Sequence, residues 1–233
     1  MKAMILCAGR GERMRPLTDD KPKPLLEAGG KPLVVRHIER LAGAGLRDIV
    51  INHAWLGGML EDALGDGSAW GVNIAYSPER VALETAGGIA NAMAHLGPDP
   101  FLVINGDIHC RWDPGRAPGV ARRLADSSLL AWLVMVPNPA QHPHGDFRLE
   151  HGFVGDPAGA AGRLTYSGIG VYRPALFAAI AAGAKAGLAP LLREAMVARR
   201  VAGERFDGDW TDVGTPTRLA DLDFRLRNAH EPA

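Results

Sequence analysis

Glycines, an arginine and a lysine follow a short apolar run near the N-terminus, and together they could hold a polyphosphate. Residues 2–7, KAMILC, predict a buried strand, and the stretch AGRGERMRPLTDDKPKPLL follows. Gly9 and Gly11 would let backbone N–H groups face a phosphate without a Cβ in the way. Arg13 can pair with phosphate oxygens, and Lys23, set between two prolines, is a point charge suited to one phosphoryl group. The alternative interpretation is a solvated basic turn.

Two aspartates lie where a divalent cation could bridge to a phosphate. Asp107 follows the apolar strand predicted over 100–106, and Asp212 precedes a glycine turn and the last predicted helix. Mg²⁺ prefers carboxylate oxygens, and ligands of open α/β sheets bind outside the carboxyl ends of the strands. A cation between the two carboxylates would also remove their mutual repulsion. Asn-Gly-Asp is a common turn as well, so this motif alone does not decide between the two interpretations.

The segment PERVALETAGGI, residues 78–89, could bind a nucleobase where a helix begins. Glycines at such a position let an aromatic base lie against the backbone, and carboxylates there can read its edge. The alternative is a helix capped by Thr85 and packed through small residues.

Strands and helices alternate over the first half of the chain, and these elements must position the motifs. The pattern predicts strands over 2–7, 47–53, 71–77 and 100–106 and helices over 31–45, 56–67 and 84–97. This alternation predicts a parallel, doubly wound sheet. Past residue 110 the pattern predicts strands over 129–137, 146–150, 163–172 and 201–206 and helices over 174–183, 188–200 and 216–230. We therefore expect one α/β domain whose second half carries an inserted substrate-binding portion.

The composition limits the class of partner. The 26 basic residues equal the 26 acidic ones, so no net charge attracts nucleic acid or an anionic membrane. Cys7 and Cys110 form no metal-binding pattern and are expected to be reduced core thiols. No apolar run approaches the ~18 residues of a transmembrane helix. We expect a soluble cytoplasmic protein with no membrane or nucleic-acid partner.

The first stretch resembles the signature of the sugar-1-phosphate nucleotidyltransferases, L-x-x-G-x-G-[ST]-R-x-x-P-L-T followed by a P-K-P lysine. Glu12 stands where the family commonly has Ser or Thr, a position that mainly offers its backbone. The resemblance implies a Rossmann-like doubly wound mixed sheet of the nucleotide-diphospho-sugar transferase type. It also implies a nucleotide-binding half over 1–110, a sugar-binding portion over 111–205, and a last part over 206–233 with the second metal aspartate and the C-terminal helix.

The resemblance assigns roles to individual residues. It implies catalytic roles for Arg13 and Lys23 and a Mg²⁺ site at Asp107 and Asp212. The residues implied for the nucleotide are Gly9, Gly11, Glu12, Arg13, Lys23, Glu79, Glu84, Thr85, Gly87 and Asn105. The residues implied for the sugar are Asn105, Gly145 and Arg163. Two departures from the family are visible: Glu84 replaces the commoner glycine, and the usual E-K-P lysine is missing, which leaves Arg163 as the candidate for the sugar phosphate.

The implied reaction joins an NTP to a sugar 1-phosphate with release of pyrophosphate. The attacking phosphate oxygen is already ionised, so no general base is needed, and catalysis would come from alignment and charge neutralisation. LETAGGI, GDF and LTYSGIGVY most resemble the family members that join UTP to N-acetylmuramate 1-phosphate in cell-wall sugar recycling. The alternatives are guanylyl transfer to mannose 1-phosphate, thymidylyl transfer to glucose 1-phosphate, a choline-phosphate cytidylyltransferase, and a non-catalytic regulatory relative. A monomer is expected.

Overall fold

The apolar runs of the first half form strands of one sheet, as their lengths and turn residues predict. The structure, a computed structural model, describes residues 1–156, 158–159 and 161–228. The strands are β1 (Ala3–Leu6), β2 (Glu27–Ala28), β3 (Lys31–Pro32), β4 (Asp48–His53), β5 (Asn73–Pro78), β6 (Phe101–Asn105), β7 (Ile108–Cys110), β8 (Ala131–Val136), β9 (Phe147–Glu150), β10 (Phe153–Gly155), β11 (Arg163–Tyr172), β12 (Val201–Arg205) and β13 (Trp210–Asp212). The helices are α1 (Leu33–Gly43), α2 (Gly57–Leu64), α3 (Glu84–Asn91), α4 (Met93–Leu96), α5 (Ala117–Ala125), α6 (Leu188–Val197) and α7 (Pro216–Asn228).

The main sheet is mixed. Among the described residues it contains nine strands in the order β5-β4-β1-β6-β11-β8-β12-β10-β9. The first four strands are parallel, β11 runs antiparallel to β6 and β8, and β12 is parallel to β8. The predicted α/β fold with a mixed sheet in a single domain is confirmed. Since β1, β4 and β6 are parallel neighbours, the loops after them meet at one edge of the sheet.

Strand β11 joins the two halves of the molecule through a bend. Its first residues pair with β9 and its last residues with β6, and the pairing with β8 shifts register between Tyr166 and Gly170. Gly168 lies at this bulge with φ +84°, and a Cβ there would lie 2.7 Å from the Asn105 side-chain nitrogen. The bulge therefore brings the second half of the chain against the end of β6.

Both faces of the sheet are buried, which explains why its strands are continuously apolar. Side chains alternate along β1, so Ala3 and Ile5 pack on one face and Met4 on the other. Helices α1, α2 and α5 contribute to the first core cluster, and α3, α4 and α6 to the second. No helix among the described residues is long and apolar enough to cross a membrane.

A third, smaller core cluster connects the two ends of the chain. Met14, in the glycine-rich loop, is fully buried with Val213, Leu219 and Leu222, which flank or belong to α7. Packing against α7 therefore holds the loop after β1.

Several elements differ from the prediction. The helix expected over 174–183 is only a 3-10 turn, Pro174–Phe177, because the chain turns away to hydrogen-bond with α3 through Ala186. The helix expected over 84–97 is divided into α3 and α4. Strands β2, β3, β7, β10 and β13 were not predicted, because each has only two or three residues and carries no resolvable period. Helix α5 was not predicted either. The last two residues of the helix predicted over 216–230 lie outside the described residues.

Candidate active site

The loop after β1 is shaped by Gly11. This residue has φ +70°, and a Cβ there would lie 3.0 Å from the Thr18 methyl group. The buried Thr18 hydroxyl donates a hydrogen bond to the Gly11 carbonyl at 2.8 Å. Gly9, in contrast, has no atom within 4 Å of the position that a Cβ would occupy. One glycine therefore sets the path of the loop, and the other leaves its backbone accessible.

A second set of contacts holds the loop from outside. The Thr18 carbonyl accepts hydrogen bonds from the Arg10 guanidinium at 2.7 Å and from the Trp55 indole at 3.2 Å. The guanidinium also lies over the indole ring, 3.9 Å from its centroid. Arg10 and Trp55 thus stabilise the loop, whereas Arg13 is exposed and makes no ion pair within the described part of the chain.

Lys23 points from a short 3-10 turn at Asp107. Its Nζ lies 2.6 Å from Oδ2 of Asp107, and its side chain is 9% exposed. The buried thiol of Cys7 lies in the same region, where desolvation and the nearby Asp107 carboxylate raise its pKa. Cys7 therefore remains a neutral thiol at neutral pH rather than a nucleophile.

Asp107 and Asp212 are brought together by a two-stranded ribbon. β13 pairs antiparallel with β7 so that Asp212 lies opposite Ile108, and the Val213 amide donates to the Asp107 carbonyl at 2.9 Å. Asp212 also forms an ion pair with Arg218. The described residues contain no group of three or more His, Cys, Asp or Glu side chains that could hold a metal. The two carboxylates at this end of the ribbon fit a Mg²⁺ ion that takes its other ligands from water and phosphate.

Two adjoining cavities form a cleft between these elements. One has a volume of about 180 Å³ and the other about 330 Å³, and Gly9, Lys23 and Asp107 line both. The residues predicted for the site that line the cleft are Gly9, Gly11, Glu12, Arg13, Lys23, Thr85, Asn105 and Asp107. A larger cavity of about 480 Å³ lies beside β10 and α6, and no residue predicted for the site lines it.

Glu79 is buried beneath the start of α3. Its two carboxylate oxygens accept hydrogen bonds from the Asn52 amide nitrogen at 2.7 Å and from the Leu83 backbone at 2.8 Å. The Asn52 oxygen in turn accepts from the Cys7 backbone at 2.9 Å. A Cβ on Gly88 would lie 2.7 Å from Glu79 Oε1. Glu79 and Asn52 thus connect the ends of β1, β4 and β5 to α3.

The first turn of α3 is fastened to the loop at 182–187. The amides of Ala86 and Gly87 both donate to the Ala186 carbonyl at 3.0 Å, and the Ala186 amide donates to the Leu83 carbonyl. Glu84 has φ +61° and is half exposed, and its carboxylate lies 3.4 Å from Lys185. The Gly87 amide is therefore already hydrogen-bonded to the protein's own backbone.

The two remaining sugar candidates lie outside the cleft. Gly145 has φ +60°, and a Cβ there would lie 2.6 Å from Asn138 Oδ1. Arg163 pairs with Asp156 at 2.6 Å and donates to the Asp146 carbonyl at 2.6 Å. Neither lines the two cavities of the cleft.

Sequence reasoning missed four residues that organise this site: Asn52, Thr18, Gly214 and Arg218. Asn52 ends a predicted strand, and that position was itself a signal, because polar residues at the carboxyl ends of parallel strands face the ligand edge. The contact of Arg218 with Asp212 depends on the turn between them and left no pattern in the sequence.

The comparisons with known proteins agree with this architecture. A family model described as Nucleotidyl transferase matches residues 2–228. The chain is 55% identical to N-acetylmuramate alpha-1-phosphate uridylyltransferase of Neisseria meningitidis serogroup B, over 94% of this chain and 95% of that protein. It is 34% identical to the protein of the same name from Caulobacter vibrioides, over 97% of both chains.

A solved structure from Bacillus anthracis, named as a proposed glucose-1-phosphate thymidylyltransferase, has the same fold. It superposes with a TM-score of 0.86 at 21% identity and covers 100% of this chain and 98% of its own. The family match spans the loop after β1, the β7–β13 ribbon and α7, and so contains every element that lines the cleft. The protein therefore belongs to the nucleotidyl transferase family, as the resemblance of its first loop predicted.

Proposed function

We propose that this protein transfers the uridylyl group of UTP to N-acetylmuramate 1-phosphate and releases pyrophosphate. The observation that carries nucleotidyl transfer is a cleft lined by the glycine loop, Lys23 and Asp107, with Asp212 placed next to it by the pairing of β13 with β7. The choice of UTP and of the muramate sugar is supported by the 55% identity to the Neisseria uridylyltransferase over nearly both full chains.

The triphosphate would lie along the loop after β1. The exposed backbone at Gly9 and the turn at Gly11 offer N–H groups, and Arg13 has no protein anion competing for its guanidinium among the described residues. Each of these groups favours negative charge at the β- and γ-phosphates. The uracil would lie at the first turn of α3, beside Thr85.

Asp107 and Asp212 would hold the divalent cation, for which we propose Mg²⁺. When bound, this ion supplies neutralisation of charge on the phosphates. The two aspartates supply the negative charge that keeps it in the cleft, and the backbone pairing of β7 with β13 fixes their separation.

The chemical step is an in-line displacement at the α-phosphorus. A phosphate oxygen of N-acetylmuramate 1-phosphate attacks, its bond to the α-phosphorus forms, and the bond to the bridging oxygen of pyrophosphate breaks. Lys23 is held with its ammonium in the cleft, where it stabilises the charge that develops on the α-phosphate. No proton has to be removed from the nucleophile.

Of the three proposed sugar contacts, Asn105 lies in the cleft, and Gly145 and Arg163 lie outside it. Asn105 lines the cleft beside the β11 bulge and is the proposed contact to the sugar. For Arg163 to bind the sugar phosphate it would have to exchange its ion pair with Asp156 for the substrate. Gly145 is retained as a proposed backbone contact.

A pyrophosphate-release assay with Mg²⁺ tests the proposal by crossing UTP, dTTP, GTP and CTP with a panel of sugar 1-phosphates. We expect the highest kcat/KM with UTP and N-acetylmuramate 1-phosphate, and loss of turnover in a Lys23→Met control. Preference for GTP with mannose 1-phosphate, or for dTTP with glucose 1-phosphate, would replace the substrates. Absence of release with every pair would contradict nucleotidyl transfer. A monomeric state and a cytoplasmic location stay predictions, and light scattering checks the first.

A further inference from the structure

The first turn of α7 places Arg218 against Asp212, whose carboxylate lies next to the cleft wall at Gly214. Its Nη1 forms an ion pair with Asp212 Oδ2, and its side chain is 18% exposed. A positive side chain in the first turn of a helix is unfavourable towards the helix dipole, so this position requires a compensating anion. Asp212 is that anion.

The guanidinium is held in one place by its surroundings. Its Nε lies 3.3 Å from the Thr215 hydroxyl, which also accepts from the Arg218 amide and so caps α7. A Cβ on Gly214 would meet Arg218 Nη2 directly and would lie 3.1 Å from Asp212 Oδ1. Gly214 lines the larger cavity of the cleft together with Arg13, Lys23 and Asp107. The guanidinium therefore lies directly behind the cleft wall.

The charges of this region are arranged in pairs. Lys23 pairs with Asp107, and Arg218 pairs with Asp212. Both carboxylates that could bind a divalent cation are thus already neutralised by protein cations. A divalent cation that approaches Asp212 must either share the carboxylate with Arg218 or displace Arg218 from it. Because the cation and the guanidinium are both positive, the guanidinium opposes the approach of the cation.

We propose that Arg218 is an internal counter-ion of Asp212 that keeps the affinity of the two-aspartate site for divalent cations low until a triphosphate occupies the cleft. The inference rests on the proposed function, since it takes the polyphosphate as the group that changes the balance. A triphosphate in the cleft offers Lys23 a new anionic partner and offers the cation new oxygen ligands. Cation and nucleotide then bind cooperatively, and by linkage each tightens the other equally. Arg218 acts through Asp212 and is a positioning residue.

The experiment measures Mn²⁺ binding to the full chain without nucleotide, by the electron paramagnetic resonance signal of free Mn²⁺. Two neutral variants, Arg218→Gln and Arg218→Met, are compared with Arg218→Lys, which keeps the charge. We expect Mn²⁺ to bind the neutral variants about tenfold more tightly than the wild type and the lysine variant, because the opposing charge is gone. Melting curves establish that each variant is folded.

A purely structural role predicts the opposite direction. If Arg218 only orients Asp212, the neutral variants bind Mn²⁺ more weakly, and that result, or unchanged affinity in both, overturns the proposal. Arg225→Gln is the matched control, because Arg225 also joins α7 to an aspartate, Asp209, at 2.8 Å, but Asp209 is not one of the two aspartates of the proposed cation site. The double variant Arg218→Gln/Asp212→Asn should lose the gain, which assigns it to Asp212.

The same variants separate this inference from the proposed function. Mn²⁺ binding is read without substrate, so absence of pyrophosphate release contradicts the function and leaves the charge effect measurable. A working enzyme whose Arg218 variants bind Mn²⁺ like the wild type contradicts only the inference.

Discussion

Lys23 shows how a single residue joins the fold to the proposed chemistry. Its ammonium is nearly buried and lies 2.6 Å from Asp107. A buried cation is costly unless it is paired, so the contact with Asp107 stabilises the buried Lys23 ammonium at the cleft. Burial keeps the neighbouring Cys7 thiol neutral, so Lys23 and Asp107 are the charged side chains that line the smaller cavity.

The two aspartates give the first prediction. We expect Asp107→Asn and Asp212→Asn each to lower kcat by about 100-fold or more, because each removes a charge that holds the cation. Pyrophosphate release at saturating Mg²⁺ measures the loss, and circular dichroism verifies that the fold survives. Near-normal kcat in both variants would rule out the assignment of the cation site.

At the scale of elements, the loop after β1 contains two glycines with different structural roles, and one variant of each glycine tests its role. Gly11→Ala would force a left-handed residue against Thr18, and we expect a loss of about 1–2 kcal/mol in the free energy of unfolding. Gly9→Ala meets no atom, so its stability should stay within about 0.5 kcal/mol of wild type while KM for UTP rises. Denaturant unfolding and steady-state kinetics are the measurements. An unchanged KM in Gly9→Ala would show that the phosphates do not approach this backbone.

The start of α3 is strained, and this gives a prediction of increased stability. Glu84 has φ +61°, a conformation that costs a non-glycine residue about 1 kcal/mol. Its ion pair with Lys185 is exposed and contributes little. We expect Glu84→Gly to raise the melting temperature by about 2–4 °C. Glu84→Ala, which loses the same ion pair but keeps the left-handed backbone, should show no increase; an equal rise in both would refute the strain.

For the whole molecule, the packing of α1 against the ribbon places a buried histidine behind the site. Burial, with the nearby Arg40 and His109, lowers the pKa of His37 to about 4, against a hydrogen bond to the Ile108 backbone that raises it. The unfolded chain binds this proton near pH 6.5, so between about pH 6.5 and pH 4 unfolding takes up a proton. Stability is therefore lost as the pH falls through this range.

His37→Gln tests that dependence, because glutamine can still hydrogen-bond to Ile108 and does not titrate. Between pH 7 and pH 4 we expect the wild type to lose about 3 kcal/mol more unfolding free energy than the variant. Urea unfolding at a series of pH values measures the difference, with exposed His144→Gln as the control. Parallel pH profiles for the wild type and His37→Gln would show that His37 does not carry the effect.

The sequence by itself determined the α/β class, the strands of the first half, and the glycine-rich loop after β1. These follow from local causes: buried parallel strands are continuously apolar, and a glycine turn between a strand and a basic stretch is visible within about twenty residues. Local sequence pattern gave the wrong prediction at 174–183, where the alanines favour a helix. The structure has a short 3-10 turn there, followed by a loop that hydrogen-bonds with α3.

The tertiary structure alone decided which distant residues meet. Asp107 and Asp212 are joined by a ribbon of two three-residue strands, too short to leave a periodic pattern. The tertiary structure also pairs Arg218 with Asp212 and buries Glu79 against Asn52. It pairs Arg163 with Asp156 outside the cleft. Side-chain partners of this kind depend on the packing of α7, β11 and the loop at 182–187, and such long-range contacts have no signature in a single sequence.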